Sequence, residues 1–138
     1  MSPPPLTVLE RILVALELII GVSAVVGGAL LALDPSGHTV GLRVDLLAGT
    51  GFASFLVPGI LLLVANGALP LVVAAATIRQ RRWAGSGHLA VGLVLFVWLG
   101  IQTFLLGRAS SLQPTLLLLA VLIAVLGAAR LRGGLDLG

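Results

Sequence analysis

Long apolar runs separated by short polar segments dominate the chain, and no charged residue occurs between Phe52 and Ile78. These runs predict helices at about residues 6–33, 52–78, 88–106 and 113–131. Roughly 20 apolar residues cross a bilayer, and at about 1.5 Å per residue the second run reaches roughly 40 Å. The pattern therefore predicts an all-α fold: a four-helix transmembrane bundle with short loops, forming a single domain over residues 1–138.

Turn-forming residues set the expected limits of the helices. Asp34-Pro35-Ser36-Gly37 ends the first helix, and residues 38–51 are expected to form a short turn or helix at the outer surface. A basic loop at residues 79–87 follows the second helix. His88 is then expected at the start of the third helix, and Pro114 in the first turn of the fourth.

The composition supports a membrane protein and narrows its chemistry. Hydrophobic residues make up 59% of the chain and charged residues 9%, which is unlike a water-soluble globule. The absence of cysteine excludes structural disulfides, thiolate catalysis and Cys-ligated metals. Basic residues lie mostly at the ends of apolar runs, so the expected partner is a lipid bilayer and not nucleic acid. The first run lacks the basic start of a signal peptide and is too long for one, so we expect it to be retained.

The arginines predict an orientation. With both termini cytoplasmic, the inner side carries most of them, whereas the outer loops carry Arg43 and Arg108. Multi-pass insertion in a bacterial inner (cytoplasmic) membrane is therefore expected, with a cytoplasmic basic cluster after the second helix. The inner arginines are Arg11, Arg79, Arg81, Arg82, Arg130 and Arg132, of which Arg79, Arg81 and Arg82 form that cluster.

Glu17 is the most costly residue to place in a membrane, because an acid at this depth cannot easily reach water. It shares a helix face with a stripe of small residues that allows close helix packing, so it is expected to face protein. One interpretation is a proton or cation site. The other is a structural acid that is neutral, or paired with Arg11 or an arginine of the 79–82 loop. The packing residues of this face are Gly21, Ala24, Gly28 and Ala32.

Two more polar residues lie within predicted helices. Pro70 has no N–H to donate to the carbonyl of Asn66, so this position offers a free carbonyl and a side-chain amide near mid-helix. Such an interruption forms transport sites in some proteins and a plain kink in others. For Gln102 an interhelical hydrogen bond is the favoured interpretation. Glu17, Asn66 and Gln102 are expected at depths about 8 Å apart, so they line a path only with water between them.

No pattern indicates an enzyme. Neither His38 nor His88 has a second ligand at metal-binding spacing, and Thr77 is expected to bond back to its own helix. Hydrolase, metalloprotease and phosphate-loop motifs are absent. We therefore expect no catalytic residue, no metal and no cofactor, and interpret Trp98 as a packing residue.

Several motifs resemble those of a known group. Gly49-Thr50, Phe52 and the run from Phe55 to Gly59 lie just before and at the start of the second helix, and Trp98, Gln102 and Leu112-Gln113-Pro114 follow later. This arrangement is similar to that of a group of small four-span bacterial integral membrane proteins of unknown function. The resemblance covers most of the chain and implies the four-span fold, but no activity.

Two functional hypotheses remain. The favoured one is a non-catalytic accessory, assembly or oligomer-forming membrane component that associates as a homo-oligomer or with a partner membrane subunit. The alternative is a minimal homo-oligomeric channel or transporter for a proton, cation or small solute. It would use Glu17, Asn66 and Gln102.

Overall fold

Four long helices account for most of the protein. The computed structural model describes residues 4–106 and 112–136, and no strand occurs within these ranges. The helices are α1 (Val8–Leu33), α2 (Leu56–Ile78), α3 (Ala84–Leu106) and α4 (Leu112–Asp136). All four are long and apolar enough to cross a membrane, which confirms the predicted all-helical architecture with four candidate spans.

Helix α3 begins at Ala84, four residues before the expected start, because α2 ends abruptly. Gln80 adopts a left-handed conformation with φ 54°, and the N–H of Arg81 bonds to the carbonyl of Ala76 at 2.8 Å. These are the marks of a Schellman motif, which reverses the chain within a few residues. The basic loop is correspondingly shorter than the predicted 79–87, and His88 lies a full turn inside α3.

Helices α1 and α2 approach closely through glycine. A β-carbon at Gly28 would lie 2.6 Å from the carbonyl oxygen of Gly59, and one at Gly21 would lie 3.1 Å from that of Gly67. Ala24 is buried in the same face, and the backbone of Ala32 borders Gly59. The small-residue stripe predicted on α1 is thus the surface that α2 covers.

Helices α3 and α4 form the second close pair. A β-carbon at Gly92 would lie 2.5 Å from the backbone nitrogen of Ala124, so the two backbones are nearly in contact there. The two pairs enclose a core that includes the fully buried side chains of Leu13, Val73 and Ile123.

The segment between α1 and α2 folds back over the ends of both helices. It contains two short 3₁₀ turns, His38–Val40 and Val44–Leu47, where a turn or helix was expected. Phe55 is buried in a cluster with Leu31 and Leu47, so α2 begins after it, at Leu56, and not at residue 52.

Asp34 organises the start of this segment. Its carboxylate accepts hydrogen bonds from the hydroxyl of Ser36 at 2.5 Å and from the backbone and side chain of Thr39 at 2.9 and 2.7 Å. The bonds from Ser36 and then Thr39 hold the pKa of Asp34 well below its usual range.

Candidate functional site

Three polar side chains from three helices meet in the interior. Oε1 of Glu17 in α1 lies 2.6 Å from Nδ1 of His88 in α3, and Nε2 of His88 lies 2.9 Å from Oγ1 of Thr77 in α2. Each of the three residues is 0% exposed. We call this group the buried triad.

Each member of the triad is positioned by residues near it in its own helix or in a neighbouring helix. Glu17 lies on the small-residue face of α1, and Thr77 lies one residue before the end of α2. A β-carbon at Gly127 would lie 3.0 Å from Cβ of His88. Glycine at this position of α4 therefore leaves room for the face of α3 that carries His88. The tight turn after α2 then brings Thr77 and His88 to the same level of the bundle.

The hydrogen bonds determine where the protons lie. The single hydroxyl proton of Thr77 is donated to the carbonyl of Val73 at 2.9 Å, so Oγ1 accepts from Nε2–H of His88. One further proton is then shared between Nδ1 and Oε1 of Glu17. Whether it lies on the nitrogen or the oxygen, the Glu17–His88 pair carries no net charge. Neutrality of the pair makes a buried acid tolerable here, since an unpaired buried carboxylate is very costly.

The arginine pairing considered as one alternative for Glu17 is not found. Its partner is a histidine, and neither Arg11 nor an arginine of the 79–82 loop pairs with it. A carboxylate does reach His88, although no sequence spacing indicated it. The nearest arginine–carboxylate contact of α1 is made by Glu10, whose Oε1 lies 2.6 Å from Nη2 of Arg130. Thr77 and His88 are polar residues in the apolar runs on either side of a short turn. That placement was the sequence feature from which a contact between them could have been predicted.

A hydroxyl, an imidazole and a carboxylate converge here in the order found in hydrolytic triads, and no sequence motif indicated this. A hydrolytic hydroxyl must give its proton to the imidazole and attack a substrate. Here Thr77 gives its proton to Val73 and accepts from His88. Its side chain also has no exposed surface that a substrate could reach. In this arrangement the triad joins α1, α2 and α3 through hydrogen bonds.

Asn66 lies in an unusual part of α2. Residues Leu62–Ala68 form a π-helical segment, in which the N–H of Leu69 bonds five residues back to the carbonyl of Val64. In that register the N–H missing from Pro70 is the one that would bond to Ala65, one residue before the predicted position. The Asn66 side chain is buried, and its Nδ2 has no hydrogen-bond partner among the described residues.

The structure does not gather the predicted polar residues into one site. Thr77 and Asn66 are about 16 Å apart along α2, and His88 and Gln102 about 21 Å apart along α3. Gln102 is half-buried. Glu17 therefore makes its own site, and Asn66 a second, separate polar position at the π-helical segment.

The basic cluster lines a groove on the surface at the end of α2. Its walls are apolar residues of α2 and the side chains of the turn, and its volume is about 740 Å³. The lining residues are Val72, Ala75, Ala76, Arg79, Gln80, Arg81, Arg82 and Trp83. We call this the basic groove.

Comparison with protein-family models finds no match for the chain, and comparisons with curated proteins and with solved structures find none either. The resemblance to small four-span bacterial membrane proteins stays a prediction.

Proposed function

We propose that the protein is a four-span membrane component with both termini in the cytoplasm. Four candidate spans support insertion. The arrangement of the helix ends supports the orientation: Glu10 pairs with Arg130, and the side chain of Gln80 bonds to the carbonyl of Pro4. These contacts gather the start of α1, the basic cluster and the end of α4 at one end of the bundle. Arg43 belongs to the opposite end, so the arginine bias favours this end as the cytoplasmic one.

The buried triad supports a non-catalytic role. Its polar atoms join α1, α2 and α3 to each other, and none of its side chains is exposed. A polar site that exists to fix helix positions is what an accessory, assembly or oligomer-forming component needs. Such a component acts in a bacterial inner membrane through its outer helix faces, as a homo-oligomer or beside a partner membrane subunit.

One observation favours the channel or transporter alternative. Oε2 of Glu17 and Nδ2 of Asn66 are buried polar atoms without a hydrogen-bond partner among the described residues. A passing water molecule, proton or cation would satisfy Oε2 of Glu17, and a water molecule would accept the hydrogen bond that Nδ2 of Asn66 offers. Unsatisfied polar groups are costly in a membrane.

Proteoliposomes separate the two functions. Purified protein is reconstituted, and flux of protons, sodium and potassium is measured with trapped dyes beside protein-free vesicles. A component gives no flux above the empty vesicles and shows a defined oligomeric mass by native mass spectrometry. A flux that Glu17→Gln abolishes, while Ser23→Ala at an exposed position of α1 leaves it intact, would establish transport instead.

A further inference from the structure

The basic groove combines a cationic rim with an apolar wall. Arg79, Arg81 and Arg82 supply the rim, and Val72, Ala75 and Ala76 supply the wall at helical spacing on α2. Trp83 closes one side and is 48% exposed. A volume of about 740 Å³ lies within the usual range of ligand sites. The ligand that fits such a surface is an amphiphile with an anionic head.

The three rim arginines have no partner in the described part of the chain. Of the protein's five acidic residues, Glu10 pairs with Arg130, Glu17 with His88, and Asp45 with Arg43. Asp34 is bonded within the first loop. The fifth, Asp136, lies where side chains are not described. Three guanidinium groups on one turn concentrate positive charge there, and guanidinium geometry matches phosphate.

The backbone fixes where these arginines stand. Gln80 holds the left-handed conformation that ends α2, and its side chain is bonded to the carbonyl of Pro4. The chain direction on either side of Gln80 is thereby set, with Arg79 before it and Arg81 and Arg82 after it. A rim whose backbone is ordered in advance loses less entropy on binding an anion.

We propose that the basic groove is a binding site for an anionic phospholipid. The phosphate lies among Arg79, Arg81 and Arg82, and the first part of an acyl chain lies against Val72, Ala75 and Ala76. Trp83 lies at the depth of the headgroup, where aromatic residues are favoured. This inference rests on the proposal that the helices span a membrane with this end at the lipid headgroups.

The test uses the full chain in a neutral detergent at about 0.3 M salt, where diffuse surface attraction is strongly screened. Dioleoylphosphatidylglycerol is titrated, and binding is followed by native mass spectrometry and by the shift in thermal midpoint. Dioleoylphosphatidylcholine is the neutral control lipid. Glycerol phosphate and inorganic phosphate are the free-anion controls.

Matched variants locate the site. Arg81→Gln with Arg82→Gln removes two rim charges, and Arg11→Gln with Arg132→Gln removes two exposed charges of the same end outside the groove. Each interfacial arginine adds to the attraction for an anionic lipid, so the rim pair is expected to weaken phosphatidylglycerol binding about 30-fold. The control pair is expected to change it less than about threefold. Ala75→Phe adds a large side chain to the apolar wall and so fills part of the groove. Its control is Ala15→Phe, which places the same side chain at an exposed position of α1.

Saturable binding of phosphatidylglycerol, lost in the rim pair and in Ala75→Phe but kept in both controls, supports the site. Equal losses in the rim and control pairs would show unspecific attraction and overturn it. Competition by inorganic phosphate as strong as that of the lipid would show a free-anion site instead. Extraction of the native protein from membranes by alkaline carbonate would contradict the proposed function itself, which this binding assay does not measure.

Discussion

At the scale of single residues, one imidazole converts a costly acid into a neutral pair. Glu17 shares a proton with His88, and His88 donates its other N–H to Thr77. Removing one partner from such a pair leaves a buried charge or an unsatisfied group, whereas replacing both by apolar residues leaves neither. The pair is thus expected to respond very differently to single and double substitutions.

We predict that His88→Leu lowers the free energy of unfolding by about 3–5 kcal/mol, because Glu17 is left buried without a partner. Glu17→Gln keeps a donor for Nδ1 and is expected to cost less than about 1.5 kcal/mol. Unfolding in mixed detergent micelles, followed by circular dichroism, measures both.

The double variant Glu17→Leu with His88→Leu is the control, and it is expected to be more stable than His88→Leu alone. If the double variant is instead the least stable, the two side chains act through packing and not through the shared proton. Glu17→Lys is expected not to assemble, since a long cation cannot fit against the glycines that α2 contacts. Normal assembly of that variant would contradict the close packing of this face.

The residue scale also shows what sequence could and could not predict. Glu17 was expected to face protein because small residues follow it on one face of α1, and it is buried. Its partner was missed because His88 was placed at a helix start. The observed start of α3 depends on Gln80 adopting a left-handed conformation. Sequence-based prediction expects that conformation mainly at glycine and asparagine.

At the scale of helices, glycine determines how α1 and α2 pack. A β-carbon at Gly28 would meet the backbone of Gly59 and Leu63 within 2.7 Å, but one at Gly27 would lie 3.7 Å from a side-chain carbon of Leu62. The two neighbouring glycines thus have different surroundings: Gly28 faces the backbone of α2, whereas Gly27 faces a flexible side chain.

We predict that Gly28→Ala destabilises the protein by about 1–3 kcal/mol, because α1 and α2 must separate to admit one carbon. Gly27→Ala is expected to be neutral or slightly stabilising, since alanine favours the helix by about 1 kcal/mol. The two variants are compared by unfolding in mixed micelles. Equal stabilities would mean that the helices are not in contact at Gly28.

The π-helical segment gives a second prediction for an element. Pro70→Ala supplies an N–H beside a stretch in which each carbonyl bonds five residues ahead. A membrane component is expected to keep its oligomeric mass and to unfold at the same or a higher temperature. A transporter that uses this interruption is expected to stay folded and lose its flux. If Pro70→Ala unfolds the protein and wild-type protein shows no flux, the π-helical segment is a packing requirement and not a site.

Helix number followed from hydropathy, but local geometry did not. Four apolar runs predicted four helices because each is long enough to cross a bilayer. The π-helical turn at Asn66 and the late start of α2 at Leu56 depend on tertiary contacts, such as the burial of Phe55 beside Leu31. A pattern of apolar residues along one chain segment does not contain those contacts.

At the scale of the whole molecule, charge and connectivity support the same orientation. The Glu10–Arg130 ion pair and the Gln80–Pro4 hydrogen bond hold the basic end together. The first loop, at the other end, carries a single arginine, Arg43. Insertion with the basic end in the cytoplasm satisfies the positive-inside rule without moving any helix.

Single cysteines test this orientation, and the chain suits the test because it has no cysteine of its own. In intact cells Ser2→Cys and Gly138→Cys are expected to resist an impermeant maleimide, since the membrane separates both termini from the reagent. Ala48→Cys, at an exposed position of the first loop, is expected to react. All three are expected to react once the membrane is permeabilised, which controls for accessibility. Labelling of both termini in intact cells, with protection of Ala48→Cys, would reverse the orientation and place the basic groove on the outer surface.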